Sequence, residues 1–380
     1  MIDRALLTRI KKSKKSILLL GPRQTGKSTL IKSLDLDLNI NLADERVYLD
    51  FARNPSELRS RLNSKIKTVF IDEVQRLPGL LNSIQAILDE ASADVRFYLT
   101  GSSARKLKRG QANLLPGRIH SYQLGPLISS ELSGGLISTQ ALETGTLPGI
   151  YTEKNPAERE ETLRSYSATY LREEVQAEAL TRNIEGFARF LEIAATCSGQ
   201  FLDLAKFSSE AQIPRQSAVR YFEILEDTLI VRRCPPFAKS ERRRLIQHPR
   251  YFFFDTGVLN GTLGNFRASP ERKGFLLEHL FFNQLIDTSS ALNLPCRVSS
   301  FRTEHGAEVD FIVEVKGSTY AVEVKASRNV GKNDLRGFQS FGQIFGKPHT
   351  KIVAFLGEDQ KQVGDVTIMP WQKALAQVFI

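Results

Sequence analysis

Gly21-Pro22-Arg23-Gln24-Thr25-Gly26-Lys27-Ser28 follows the apolar run Ile17-Leu18-Leu19-Leu20 and leads directly into Ser28-Thr29-Leu30-Ile31-Lys32-Ser33-Leu34. G-x-x-x-x-G-K-[ST] between a strand and a helix is the signature of a phosphate-binding loop. Its glycines let the chain curl so that backbone N–H groups and the helix N-terminus face an anion. Lys27 adds a positive charge, and Ser28 an oxygen ligand for magnesium. The loop residues Gly21, Pro22, Arg23, Gln24, Thr25, Gly26, Lys27, Ser28 and Thr29 are therefore the candidates to hold ATP with Mg2+. A chance glycine-rich turn would not require strand, Lys-Ser pair and helix to agree.

About forty residues downstream, Thr68-Val69-Phe70-Ile71-Asp72-Glu73 is an apolar strand ending in two carboxylates. After a phosphate loop this pair reads as Asp72 holding the hydrated magnesium and Glu73 polarising the attacking water. The next strand, Val95 to Thr100, ends in Gly101-Ser102-Ser103. Ser102 is there a candidate sensor of the γ-phosphate, with an ordinary turn as the plain alternative. Leu115-Pro116-Gly117-Arg118 places an arginine on the far side of the sheet. In a ring assembly Arg118 would stabilise a neighbour's transferring phosphoryl group, with Arg105 and Arg109 as competitors.

Between Ser16 and Gly125, SILLL, VYLDF, KTVFIDE and VRFYLT read as strands separated by helical segments, which predicts an α/β fold with a parallel sheet. From about Pro156 charged helices take over, as in EREETLRSYSATYLREEVQAEAL and GFARFLEIAATC, and read as a helical lid or adaptor. FLDLAKFSSEAQ, the break Ile213-Pro214 and RQSAVRYFEILEDTLIV then form helix, turn and helix, with VRRCPPF and YFFFD as strands of a wing. A last segment reads as helix GFLLEHLFFNQLI, strand RVSSFR, hairpin AEVDFIVEVKGSTYAVEVKAS, helix DLRGFQSFGQIF and strand KIVAFLG. The expected divisions are an ATPase core over 1–130, a helical lid over 131–182, a winged helix over 183–270 and a small α/β domain over 271–380.

The chain has 380 residues, 41% hydrophobic and 25% charged, which suits two or three globular domains. No segment approaches the roughly 20 apolar residues that span a bilayer, so no membrane role is expected. KKSKKSILLL resembles a signal peptide only superficially, because its short apolar run breaks into the phosphate loop without a cleavage site. Cys197, Cys234 and Cys296 lie too far apart to suggest a disulfide framework or a paired zinc site, which fits a reducing cytoplasm. The formal charge of +10, with a pI near 9.5, favours an anionic partner. Residues 1–150 hold most of it, with 22 basic against 14 acidic side chains. Another basic run, KSERRRLIQHPR, spans 239–250. On the winged-helix reading Arg215, Gln216 and Arg220 decorate the second helix and Arg242, Arg243 and Arg244 the wing, placed for phosphate contacts. Winged helices also bind proteins, and such a run can be a solvated loop.

The C-terminal segment holds a second group of polar residues set into apolar elements: Glu278, Asp310, Glu323 and Lys325. A two-residue turn at Lys316-Gly317 places Asp310 opposite Glu323, while Glu323 and Lys325 share a face of their strand. Two carboxylates and an ammonium then converge as a metal-dependent phosphodiesterase requires. Asp310 and Glu323 would bind magnesium, Lys325 would orient or activate water, and Glu278 would support them from the preceding helix. Cross-strand pairs on a solvent-facing hairpin are the bland reading. The D, spacer, E-x-K order with an acid in the preceding helix resembles the PD-(D/E)XK nuclease fold.

The whole chain resembles the AAA+ ATPases of bacteria and archaea that join an N-terminal ATPase core to a C-terminal domain of unknown function. GPRQTGKST, VFIDEVQRLP, YLTGSSARKL, LPGRI, YLREEV, YFFFDTGVLN, GFLLEHL and GAEVDFIV followed by VEVKAS occur in that family's order. One departure is Thr146-Leu147-Pro148-Gly149, where a Gly-Gly-Tyr-Pro type of turn is expected. The resemblance implies a winged helix followed by a restriction-endonuclease-like fold. Together these readings describe a cytoplasmic, hexameric ring ATPase that remodels, translocates on or cleaves DNA, whether duplex, branched or single-stranded. The reading from another class is a nucleotide-switched signalling or scaffold ATPase whose C-terminal domains bind protein.

Overall fold

The computed structural model describes residues 2–90, 94–102, 117–171, 184–237, 245–327, 331 and 335–380. The class is α/β, with a parallel five-stranded sheet and further α/β structure. The chain forms two compact units: Met1–Gly125 with Asp227–Ile230, and Pro126–Glu226 with Val231–Ile380.

In the first unit, helix α1 (Leu6–Lys12) precedes β1 (Ser16–Leu20), and α2 (Lys27–Lys32) follows the phosphate loop. β2 (Leu38–Asn41), β3 (Thr68–Asp72), β4 (Arg96–Gly101) and β5 (Ile119–Gln123) complete a sheet of order β2-β3-β4-β1-β5, every pairing parallel. Alternate residues of a strand face opposite sides. Leu18, Leu20, Val69, Ile71, Phe97 and Leu99 accordingly enter one core, and Ile17, Leu19, Phe70 and Tyr98 the other. Burial on both faces is why β1, β3 and β4 read as continuous apolar runs.

One expectation needs revision here, and two strands carry little signal in the sequence. VYLDF is not a strand but lies in helix α3 (Glu45–Arg53). Asp44 caps that helix by accepting from the backbone N–H groups of Arg46 and Val47, and Phe51 is its one buried residue. The second strand is Leu38–Asn41, in which only Ile40 is buried, so its sequence carries little apolar signal. The fifth strand, IHSYQ, is half exposed and equally quiet. Helices α4 (Glu57–Arg61) and α5 (Leu80–Leu88) fill out this unit.

The second unit begins with short helices α6 (Ser138–Thr144), α7 (Pro148–Thr152) and α8 (Pro156–Ser165). Gly145 stands at φ 71°, and a Cβ there would lie 2.0 Å from the Asp255 carboxylate. Asp255 accepts from Thr146 N at 2.7 Å and caps α12 (Thr256–Leu263) through Val258 N at 3.1 Å. The unusual Thr146-Leu147-Pro148-Gly149 turn is thereby pinned at Thr146 N by the Asp255 carboxylate. Helices α9 (Ile184–Thr196), α10 (Leu204–Glu210) and α11 (Arg215–Asp227) precede an antiparallel pair, β6 (Val231–Cys234) and β7 (Arg250–Phe253).

Helix α13 (Pro270–Leu292) then leads to β8 (Cys296–Arg302), β9 (Glu308–Val315) and β10 (Ser318–Lys325). After α14 (Arg336–Phe345) come β11 (Thr350–Phe355), β12 (Lys361–Val363), β13 (Val366–Pro370) and α15 (Trp371–Phe379). The six-stranded sheet has the order β12-β13-β11-β10-β9-β8. β10 runs antiparallel to β9 and parallel to β11.

Candidate functional site

The phosphate loop is shaped by close packing. A Cβ on Gly21 would lie 2.2 Å from the Leu124 carbonyl oxygen, so only glycine fits. Gly26, at φ 88°, turns the chain into α2 through a left-handed conformation. Lys27 is buried and donates from Nζ to the carbonyls of Gly21 and Pro22 at 2.8 and 2.7 Å. Thr25 is buried, Ser28 and Gly26 half-buried, and Arg23, Gln24 and Thr29 exposed.

Asp72 ends β3 beside the loop. Its Oδ1 accepts from Ser28 Oγ at 2.8 Å and also from Thr100 Oγ1. A carboxylate touching the first-turn hydroxyl of α2 is a donor set that fits magnesium, which is held by few protein oxygens and completed by phosphate and water. Glu73 is half-buried, with a left-handed backbone at φ 59°. Ser102 is buried at the end of β4.

Two residues of this site escaped the sequence reading. Arg4 donates from Nη1 to the Thr25 carbonyl at 2.7 Å and from Nη2 to Gly125 O at 2.8 Å, tying the loop to the segment after β5. Gln75 donates from Nε2 to Glu73 and, at 3.0 Å, to Ser102 Oγ. Arg4 lies in no quoted motif, and Gln75, although within VFIDEVQRLP, shows its partner Ser102 only across 27 positions of sequence.

Arg118 precedes Ile119, the partner of Ser16, and so sits at the opposite end of the strands from the phosphate loop. Its Nε contacts Asp89 Oδ1 at 2.6 Å, both side chains being exposed. Arg105 and Arg109 lie outside the described residues, as do Arg242, Arg243 and Arg244. Arg215, Gln216 and Arg220 are exposed on α11.

In the C-terminal sheet, Lys316 and Gly317 form the hairpin turn with φ of 50° and 78°. Pairing runs from Ser318–Val315 to Val322–Phe311, a register whose next position sets Glu323 against Asp310. Asp310 Oδ2 accepts from Val324 N at 2.7 Å, and Lys325 Nζ lies 2.8 Å from Glu323 Oε1. Burial and then the negative charge of Glu278 push the Asp310 carboxyl up to about 8. Burial and then Asp310 push Glu323 likewise to about 8, against the pull of Lys325. Two carboxyls so perturbed by each other's neighbourhood form a site that favours a cation.

Glu278, whose charge reaches Asp310, also has a partner of opposite charge. It pairs with Arg250, which is 3% exposed. Arg250 belongs to the basic run 239–250 yet is not a surface cation. Its Nε donates to Gly199 O at 2.5 Å, its Nη1 to Asp310 O at 3.4 Å, and its guanidinium lies over the Phe201, Phe252 and Phe311 rings. Among the described residues no three His, Cys, Asp or Glu side chains gather as a metal site. Asp310 and Glu323 remain as a pair, which suffices for magnesium when a substrate phosphate supplies further oxygens.

Among the described residues no helix is long and apolar enough to cross a membrane.

Comparison with known proteins matches residues 13–133 to an AAA domain, 138–269 to a domain of unknown function (DUF8612) and 273–374 to another (DUF4143). Uncharacterised proteins of Mycobacterium bovis and Mycobacterium tuberculosis are each 26% identical over 318 residues, 81% of this chain and 70% of theirs. A structure of Pif1 helicases unwinding forked double-stranded DNA aligns at 14% identity and a TM-score of 0.26, over 44% of this chain and 52% of that one. A DNA polymerase III gamma subunit-related protein of Thermotoga maritima aligns at 14% identity and a TM-score of 0.24, over 60% of this chain and 98% of that one. At such scores neither structural likeness carries an argument. The chain carries an AAA-type ATPase domain over residues 13–133, joined to two domains of unknown function.

Proposed function

We propose that the protein is an ATP-hydrolysing DNA-processing machine with a magnesium-dependent phosphodiester site in its C-terminal sheet. In this reading Gly21–Thr29 cradle the ATP phosphates, Lys27 leaves its carbonyl partners for phosphate oxygens, and Glu73 takes the proton of the attacking water. Magnesium between Ser28 and Asp72 would neutralise charge on the β- and γ-phosphates. Ser102 faces the γ-phosphate, and Arg118 acts on a neighbouring subunit of a homo-oligomeric, hexameric ring. The second unit is read as a helical adaptor over 131–182, a winged helix over 183–270 bearing Arg215, Arg220 and Arg242 to Arg244, and a restriction-endonuclease-like domain over 271–380.

The observation that carries the DNA reading is the meeting of Asp310, Glu323 and Lys325 on adjacent strands, with both carboxyls raised to about 8. Magnesium bound by Asp310 and Glu323 would supply Lewis acidity toward a phosphodiester, with Lys325 orienting the water and Glu278 acting through Arg250. A purely protein-binding module has no need of buried, mutually repelling carboxyls.

The test is the ATPase rate with and without duplex, single-stranded and four-way-junction DNA, with the DNA followed on gels in magnesium or manganese. Stimulation that Lys27→Ala abolishes supports a DNA-coupled ATPase, and cleavage lost in Glu323→Ala supports the phosphodiester site. A rate indifferent to every DNA, with none bound at low salt and none cut, would replace this reading by a nucleotide-switched scaffold.

A further inference from the structure

We propose that Gln75 is a positioning residue for ATP hydrolysis, its side-chain amide coupling the carboxylate of Glu73 to the hydroxyl of Ser102. The inference rests on the roles proposed above for Glu73 and Ser102, and gives a part to Gln75, which the VFIDEVQRLP segment carries without an assigned role.

Gln75 is 4% exposed and lies in the single turn Val74–Arg76 that follows Glu73. Its Nε2 carries two hydrogens and has two acceptors, the Glu73 carboxylate and, at 3.0 Å, Ser102 Oγ. The bond to Ser102 occupies a lone pair of the hydroxyl and leaves its hydrogen to be donated onward. A γ-phosphate oxygen is the acceptor that hydrogen would meet in the nucleotide-bound protein. A continuous path then runs from phosphate through the Ser102 hydroxyl and the Gln75 amide to the carboxylate that activates water. Both hydrogens of the amide are engaged, so rotating Gln75 toward either neighbour releases the other.

Two further features fix the amide. Glu73 is a non-glycine residue in the left-handed region, at φ 59° and ψ 42°. Such a conformation is unfavourable for a residue with a side chain and persists only where the surroundings determine it. On the other side, Gln75 Oε1 is buried without a hydrogen-bond partner among the described residues, against Gly101. A Cβ at position 101 would stand 2.8 Å from that oxygen. The space for the amide therefore exists because residue 101 has no side chain, and with Oε1 unpaired the amide is held by its Nε2 end.

The experiment compares Gln75→Leu and Gly101→Ala with the wild-type full-length chain. Gln75→Leu keeps the volume and removes the amide, whereas Gly101→Ala keeps the amide and displaces it. Both should lower kcat by about tenfold or more, the scale on which a misplaced catalytic group acts. In Gln75→Leu, KM and the affinity for a non-hydrolysable ATP analogue should stay within about threefold of wild type, because that change leaves the phosphate loop untouched. Gly101→Ala, at a residue whose carbonyl accepts from Gly21 N, is read on kcat only. In a double-mutant cycle, Gln75→Leu with Ser102→Ala should be no slower than the more impaired single variant, because the two residues act on one path.

A kcat within about twofold of wild type in Gln75→Leu overturns the proposal. Additive losses with Ser102→Ala, or a fall in analogue affinity matching the fall in kcat, also overturn it and make Gln75 a packing residue. Lys27→Ala and Glu73→Gln separate this from the underlying reading. If both retain turnover, the assignment of the nucleotide site itself fails. If they abolish turnover while Gln75→Leu is fully active, only the role of Gln75 fails.

Discussion

Ser28 Oγ donates a 2.8 Å hydrogen bond to Asp72 Oδ1 across 44 positions of sequence. The contact joins the first turn of α2 to the end of β3, where parallel strands deliver their carboxyl ends to one edge of the sheet. With the charge removed, Asp72→Asn should lower ATP turnover by about 100-fold or more, the scale of losing one preorganised electrostatic partner. Analogue binding should persist through the loop amides and Lys27. Turnover of Asp72→Asn close to wild type across a magnesium titration would remove Asp72 from the site.

Arg250 and Glu278 are a buried pair, and their energetics differ from those of surface salt bridges such as Arg118 with Asp89. Removing one partner leaves a charge without compensation, which costs about 3–5 kcal/mol. Glu278→Gln and Arg250→Met should each destabilise the chain on that scale in urea unfolding, while Arg118→Ala should change stability by well under about 1 kcal/mol. Equal, small effects in all three would mean that Arg250 is solvated in solution.

In the presence of a short DNA that supplies phosphate oxygens, magnesium should stabilise the nucleotide-free protein through Asp310 and Glu323. Anything that binds only the folded state raises its stability by mass action. A Lys27→Ala background with no nucleotide present minimises the contribution of the phosphate loop. The midpoint of thermal unfolding should rise with magnesium in that background and cease to respond in Asp310→Asn. A response that survives Asp310→Asn and Glu323→Gln would place the ion elsewhere.

His279 is fully buried, with Nε2 2.6 Å from the Phe253 carbonyl oxygen, and burial lowers its pKa to about 4. The folded state therefore binds the imidazole proton less readily than the unfolded chain, whose value is 6.5. Stability from this group is fully present above 6.5 and is lost as pH falls toward and through 4. Asp255, raised to about 6 by burial, acts in the opposite direction, so the wild-type curve alone does not isolate the histidine. The difference in stability between wild type and His279→Asn isolates it, and should shrink as pH drops from 6.5 to 4. A difference independent of pH would mean that His279 titrates alike in both states.

Much of the chain was legible because its signals are local. The phosphate loop, the strands around Val69 and Phe97 and the Lys316-Gly317 hairpin each declare themselves within a few residues, through glycine placement, two-sided burial or turn chemistry. The second strand was misplaced because a parallel edge strand with one buried residue has no periodic signature. VYLDF carries apolar residues at a spacing that a capped helix uses equally well. The strand β12 was missed for a related reason, since it is exposed throughout.

By itself, then, the sequence determined the phosphate loop, the acids that follow it and the hairpin that sets Asp310 toward Glu323, because each depends on spacing within one or two neighbouring elements. Only the tertiary structure decided that Gln75 joins Glu73 to Ser102, that Arg4 holds the Thr25 carbonyl, and that Arg250 leaves a basic run to pair with Glu278. Those relationships rest on which distant strands and turns are packed together. A side chain's charge and length are written in the sequence, but its partner and its burial arise only when the cores close around it.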